Sequence, residues 1–161
     1  MRVAAYICRM DIILHPIAFV TNSRTEAVDD FWGSVTSEIT LAEGIPPETL
    51  DSIELFSHLE IIYHFNQSSP DAVVYHGRPR GNPAYPVMGI FAQRKKDRPN
   101  AIGLCTVELL EHRGRILVVK NLDAIDGTPI LDIKPVMKEF QPKGEIRQAA
   151  WVSDLMKDYW K

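Results

Sequence analysis

Apolar and polar residues alternate over short stretches of this chain, and tight turns separate the stretches. Thr36–Leu41 (TSEITL) alternates polar and apolar residues toward its end, as a half-buried strand does. His58–Phe65 (HLEIIYHF) and Val87–Ala92 (VMGIFA) are short apolar runs that suit core strands, and Ile12–Val20 reads as the strand that opens the fold. Gly103–Glu111 and Arg115–Leu122 flank His112-Arg113-Gly114, which predicts a hairpin with glycine in the turn. Pro129–Ile133 is a last short strand. Between Pro46 and Leu55 a proline pair followed by acidic residues predicts a brief helical turn. Ala149, Val152, Leu155, Met156 and Tyr159 recur at helical spacing, so residues 148–161 are expected to form a C-terminal helix. Ser68–Pro86 has no regular period, and structureless segments of that length are uncommon and often functional. No repeat separates one part of the chain from another. The expectation is one domain over residues 1–161: mainly β, a small antiparallel barrel or sandwich with a C-terminal helix. A doubly wound (Rossmann) sheet is disfavoured because no helical crossovers lie between the strands.

Composition agrees with that picture. The chain has 161 residues, 45% hydrophobic and 24% charged, which suits a globular domain able to bury its own core. A net charge of −3 excludes a globally basic nucleic-acid binder but leaves room for a local basic patch. Two cysteines, Cys8 and Cys105, have no ligand spacing and suit a reduced, cytoplasmic compartment. The longest uncharged run of apolar character, Ile12 to Ser23, contains His15, Pro16 and Asn22, and a membrane span needs about 20 apolar residues. Residues 1–10 read as an extension ahead of the first patterned strand.

No dinucleotide fingerprint, P-loop or nucleophile elbow is present, and the five histidines have no metal spacing. No metal is expected. Three segments could carry chemistry. The apolar strand ending at Phe65 runs into Asn66-Gln67, whose amides offer both donors and acceptors to a planar heterocycle. Arg94, Lys95, Lys96 and Arg98 surround Asp97 on one loop, which suits either phosphate contact or a solvated edge. Asp126-Gly127 is a turn that can bring a carboxylate and backbone close to a ligand.

Taken in order, F-S-H-L (56–59), G-I-F-A-x-R (89–94), R-P-N-x-I-G-L (98–104) and L-D-x-x-D-G-T-P-x-L-D-I-K-P (122–135) resemble the YaeB/TrmO-like proteins. The resemblance covers roughly residues 11–140. It implies a small β-barrel that binds S-adenosyl-L-methionine without a Rossmann sheet, usually as a homodimer, and methylates a modified adenosine beside the tRNA anticodon. Carried over by position, it implies cofactor contacts at Phe65, Asn66, Gln67, Arg94, Leu104, Asp126, Gly127, Thr128 and Pro129. It implies substrate contacts at Lys95, Lys96, Arg98 and Asn100. The partner implied is tRNA; no DNA and no membrane are expected. This chain has Asn66 where the family usually has His, Gln93 for Thr, and Ala101 for the second proline of R-P-N-P. These departures leave open a different small-molecule or RNA acceptor, or a non-catalytic barrel that binds cofactor or RNA. The general base is unassigned; Asp126, Asp132 and Tyr63 qualify by residue type alone.

Overall fold

Alternation along the strands becomes an inside and an outside. The computed structural model describes residues 11–161. The extension expected over residues 1–10, with Cys8, lies outside the described residues. Six antiparallel strands close on themselves: β1 (Ala18–Thr21), β2 (Thr36–Leu41), β3 (His58–His64), β6 (Ile102–Arg113), β7 (Ile116–Lys120) and β8 (Pro129–Pro135). Their order around the barrel is β1-β2-β7-β6-β3-β8. β8 completes the circle by pairing with β3 along most of its length and with β1 through Ala18↔Ile130 and Phe19↔Pro129. Two residues on each of β4 (His76–Gly77) and β5 (Met88–Gly89) form a separate ribbon.

A six-stranded barrel has room only for side chains inside. The interior holds Val20, Ile39, Leu59, Ile61, Tyr63, Val107, Leu117, Val119 and Ile130, all essentially buried. Gly103 faces Tyr63 across the β3–β6 pair; a Cβ there would lie 2.4 Å from the Tyr63 ring. Residue 103 therefore carries no side chain, and the large ring fills the space. Register shifts at Ile62/Tyr63 in the β3–β8 pair and at Leu109/Glu111 in the β6–β7 pair bend the strands enough to close.

The β6–β7 hairpin turns through Gly114-Arg115, with Gly114 at φ +57, one residue later than the sequence suggested. Arg115 then donates to the carbonyls of Ile45, Leu41 and Ala42 and fixes the β2 exit. The predicted turn near Pro46 is two 3-10 turns, Pro47–Leu50 and Ile53–Leu55.

Three expectations differ from the structure. Strand β1 is confined to Ala18–Thr21, and residues 11–16 form an arm with no regular secondary structure. Only Met88–Gly89 of the 87–92 run is strand. Residues 90–92 form a 3-10 turn because Ile90 alone is buried there and Phe91 stands in solvent. The C-terminal helix α1 is only Ala150–Leu155. After it the chain breaks from helical geometry, because residues 158–159 accept hydrogen bonds from the amides of Phe31 (3.1 Å) and Trp32 (2.8 Å). No helix among the described residues is long and apolar enough to cross a membrane.

The Gly103–Tyr63 contact yields a direct test. Gly103→Ala should lower stability by roughly 1–3 kcal/mol through overpacking, read as a lower urea midpoint with an unchanged slope. An unchanged midpoint would show that the ring can move aside.

Candidate functional site

The three sequence segments meet at one end of the barrel. His64 pairs with Ile102 and Tyr63 with Ile130, so the tip of β3 lies between the starts of β6 and β8. Beyond the strand, the Phe65 amide donates to the Ala101 carbonyl at 2.8 Å, and the Ser68 hydroxyl donates to the Asp97 carboxylate at 2.8 Å. The strand tip is thereby tied to the basic loop at two points. A cleft of about 660 Å³ opens on the outer wall here, between the 11–16 arm and the barrel. His64, Asn100, Ile102, Pro129 and Leu131 supply its barrel side, and Asp11, Ile12, Leu14 and Pro16 supply the arm.

The predicted cofactor residues fall into distinct environments. Phe65 is half-buried and packs edge-on against Tyr63. Asn66 and Gln67 are exposed, and their amides make no side-chain hydrogen bond among the described residues. Leu104 is 44% exposed on the outer face, two residues along β6 from Ile102 of the cleft wall. Pro129 lines the cleft. Thr128 is buried. Asp126 is exposed, and its Oδ1 accepts from the Asn22 amide at 3.1 Å.

Gly127 stands at φ +76, which a non-glycine residue reaches only with strain. The amides of Asp126, Gly127 and Thr128 donate to the carbonyls of Arg24, Val20 and Ile125. The turn's backbone amides are therefore spent on the fold, and what it leaves exposed is the Asp126 side chain.

The basic loop is largely committed to the fold. Arg94 donates to the Leu104 carbonyl, and Arg98 donates to the Gln93 carbonyl at 3.2 Å. Gln93 is buried and donates to Gly77 and Met88 carbonyls, so it pins the β4–β5 ribbon to the loop. Lys96 approaches Asp29 at 3.9 Å, an exposed and weak pairing. Lys95 has no ion-pair partner among the described residues. Asn100 and Ala101 both occupy the left-handed region, at φ +65 and +48. A proline at residue 101, as in the family pattern, could not take that φ or supply the amide that donates to Arg98. The Ala101 departure therefore goes with a different loop conformation.

Two arrangements escaped the sequence reading. Asn22 ties the barrel end together: its amide group donates to Ser37 Oγ and the Ala124 carbonyl, both at 2.9 Å, and its Oδ1 accepts from the Arg24 amide. Arg24 in turn donates to the carbonyls of Val28, Asp30 and Phe31 and lies 4.3 Å from the Trp32 ring centre. The second is Asp123, whose two oxygens accept from Tyr63 at 2.5 Å and Tyr159 at 2.6 Å. Burial and the Asp123 charge hold both phenols well above the ordinary tyrosine pKa. Burial likewise raises the Cys105 thiol. Among the described residues no three His, Cys, Asp or Glu side chains group as metal ligands.

The architecture defines a class: a small closed antiparallel barrel with an outer cleft at the strand ends. Within it, the chain belongs to the family described as "tRNA-methyltransferase O N-terminal domain", which matches residues 25–141. A probable S-adenosyl-L-methionine-binding protein of Methanothermobacter thermautotrophicus is 35% identical over 140 residues, covering 84% of this chain and 97% of that one. A similarly described protein of Pyrococcus abyssi is 36% identical over 129 residues, covering 77% and 62%. The tRNA (adenine(37)-N6)-methyltransferase of Escherichia coli is 37% identical over 94 residues, covering 56% of this chain and 40% of the enzyme. The crystal structure of TrmO from Pseudomonas aeruginosa superposes with TM-score 0.70 and 25% identity, covering 86% of this chain and 61% of that one. This chain thus spans less than two thirds of several relatives.

Because each phenol's pKa is raised on folding, the protonated contacts with Asp123 contribute stability below about pH 10 and lose it only above that. Tyrosinate absorbance of the native protein at about pH 11 should therefore be equal in the wild type, Tyr63→Phe and Tyr159→Phe. A drop of one tyrosinate in either variant would show that its phenol titrates normally.

Proposed function

We propose that this protein is an S-adenosyl-L-methionine-dependent methyltransferase acting on a modified adenosine beside the tRNA anticodon, as a cytoplasmic homodimer. The observation that supports the reading is that one residue or more from each of the three segments (His64, Asn100 with Ile102, and Pro129 with Leu131) lines one cleft, Pro129 alone among the expected cofactor residues. The cofactor's chemistry fits what surrounds it. Ile102, Leu104 and Pro129 present an apolar wall to a purine, and the unpaired amides of Asn66 and Gln67 can read its edge. The exposed Asp126 carboxylate suits a ribose hydroxyl or the cofactor ammonium. Arg94, beyond its bond to Leu104, retains donors for a carboxylate or phosphate.

The sulfonium supplies an already activated methyl group. The protein's task is then alignment, which contributes about 7–11 kcal/mol in favourable cases. The barrel wall is a rigid surface for this, since its inner face is fully packed. Tyr63 does not serve as the base: its hydroxyl is engaged by Asp123 and held protonated. Asp132 is paired with Lys134 at 2.5 Å. A second copy of the chain suits exposed apolar side chains outside the cleft, such as Phe19 on β1 and Leu110 on β6.

Calorimetry with S-adenosyl-L-methionine should show saturable binding that Ile102→Asp weakens at least about tenfold, by placing a charge on the apolar wall. Labelled methyl should pass to tRNA purified from cells lacking the gene. The Lys95→Ala/Lys96→Ala pair should weaken tRNA binding and flatten its salt dependence by about 1–2 in log–log slope. No cofactor binding at millimolar ligand would overturn the reading.

A further inference from the structure

Two large aromatic side chains stand in solvent beside the basic loop. Tyr75 is 67% exposed and Phe91 is 77% exposed. The ribbon brings their backbones together: the Ile90 amide donates to the Tyr75 carbonyl at 2.9 Å, directly beyond the His76↔Gly89 pair. Burial of Ile90 and the Gln93 hydrogen bonds hold this ribbon in place, so the aromatics sit on an ordered base. Phe91 precedes Arg94 by three residues, and Arg94 reaches the strand that forms the cleft wall. Arg94, Lys95, Lys96 and Arg98 outnumber the one carboxylate of that loop, Asp97, which accepts from Ser68. Of the carboxylates nearby, Asp29 lies 3.9 Å from Lys96, and Asp29 and Asp30 both pair with Arg80.

We propose that Tyr75 and Phe91 form a stacking platform for unpaired nucleotides, with Lys95 and Lys96 contacting the adjoining phosphates. Exposed aromatics next to cations are the arrangement that binds single-stranded nucleic acid, because every base has a face to stack. A base in the cleft must leave its neighbours' stack, and the platform gives those neighbours a replacement surface. The occupant is therefore the single-stranded loop of an RNA hairpin rather than duplex. The inference rests on the tRNA reading above and specifies which surface receives the loop.

Fluorescence anisotropy with an anticodon stem-loop RNA tests it on the intact protein. Phe91→Ala and Tyr75→Ala should each raise Kd about fivefold or more. Phe91→Trp should retain affinity, and calorimetric binding of S-adenosyl-L-methionine should be unchanged in all three. Wild-type affinity in both alanine variants would overturn the platform, as would equal losses on duplex RNA. A Phe91→Ala change in sedimenting mass would overturn it too, by showing that a second copy covers this face. If the wild type binds no cofactor yet the alanine variants lose loop RNA, the platform stands and the methyltransferase reading falls.

Discussion

The double pairing of β8 is the constraint on which the rest depends. One strand must satisfy β3 on one edge and β1 on the other, or the barrel stays open. Pro129 sits where β8 begins, a position that tolerates its missing N–H. The neighbouring carbonyls of Thr128 and Ile130 accept from Val20 and Ile17 instead. The same closure carries Pro129 and Leu131 to the outer wall beside His64 and Ile102. The cleft is therefore a by-product of closing the sheet.

Charge in this protein mostly serves the fold. Arg24, Arg98 and Arg115 each donate to main-chain carbonyls of loops, and Arg94 donates to the Leu104 carbonyl of β6. Arg80 makes a two-pronged pair with Asp30 that links the 68–86 segment to the β1–β2 connection. Guanidinium groups suit this because their donors diverge from a planar centre and can reach several acceptors. Lysine cannot replace them in that role, and the two lysines of the basic loop are the cations most available to a partner.

Strand positions were legible in the sequence wherever burial alternates residue by residue. β2 follows from that period, β3 from its apolar run, and the β6–β7 hairpin from the glycine turn between its strands. The 87–92 run misled because a short apolar stretch does not say which of its members is buried, and only Ile90 is. Helical spacing at residues 149–159 was genuine, but tertiary hydrogen bonds to Phe31 and Trp32 outcompete the last turns. The site segments were legible through their resemblance to a family, and the structure brings their backbones together. The environment of each side chain was not legible. Nothing local marks Asp123 as the acceptor for Tyr63 and Tyr159, since those partners are distant in sequence. Nor does the D-G-T-P string reveal that its amides point inward.

Gly33 lies so close to the Trp160 carbonyl that an added Cβ would sit 1.9 Å from the oxygen. The tail and the β1–β2 connection therefore cannot drift independently over evolutionary time. Lineages that keep this tail seated must keep a bare α-carbon at residue 33, and lineages that lose or re-route it are released from that requirement. Variation at residue 33 among relatives should thus track the path of the C-terminal segment more closely than it tracks the chemistry of the cleft.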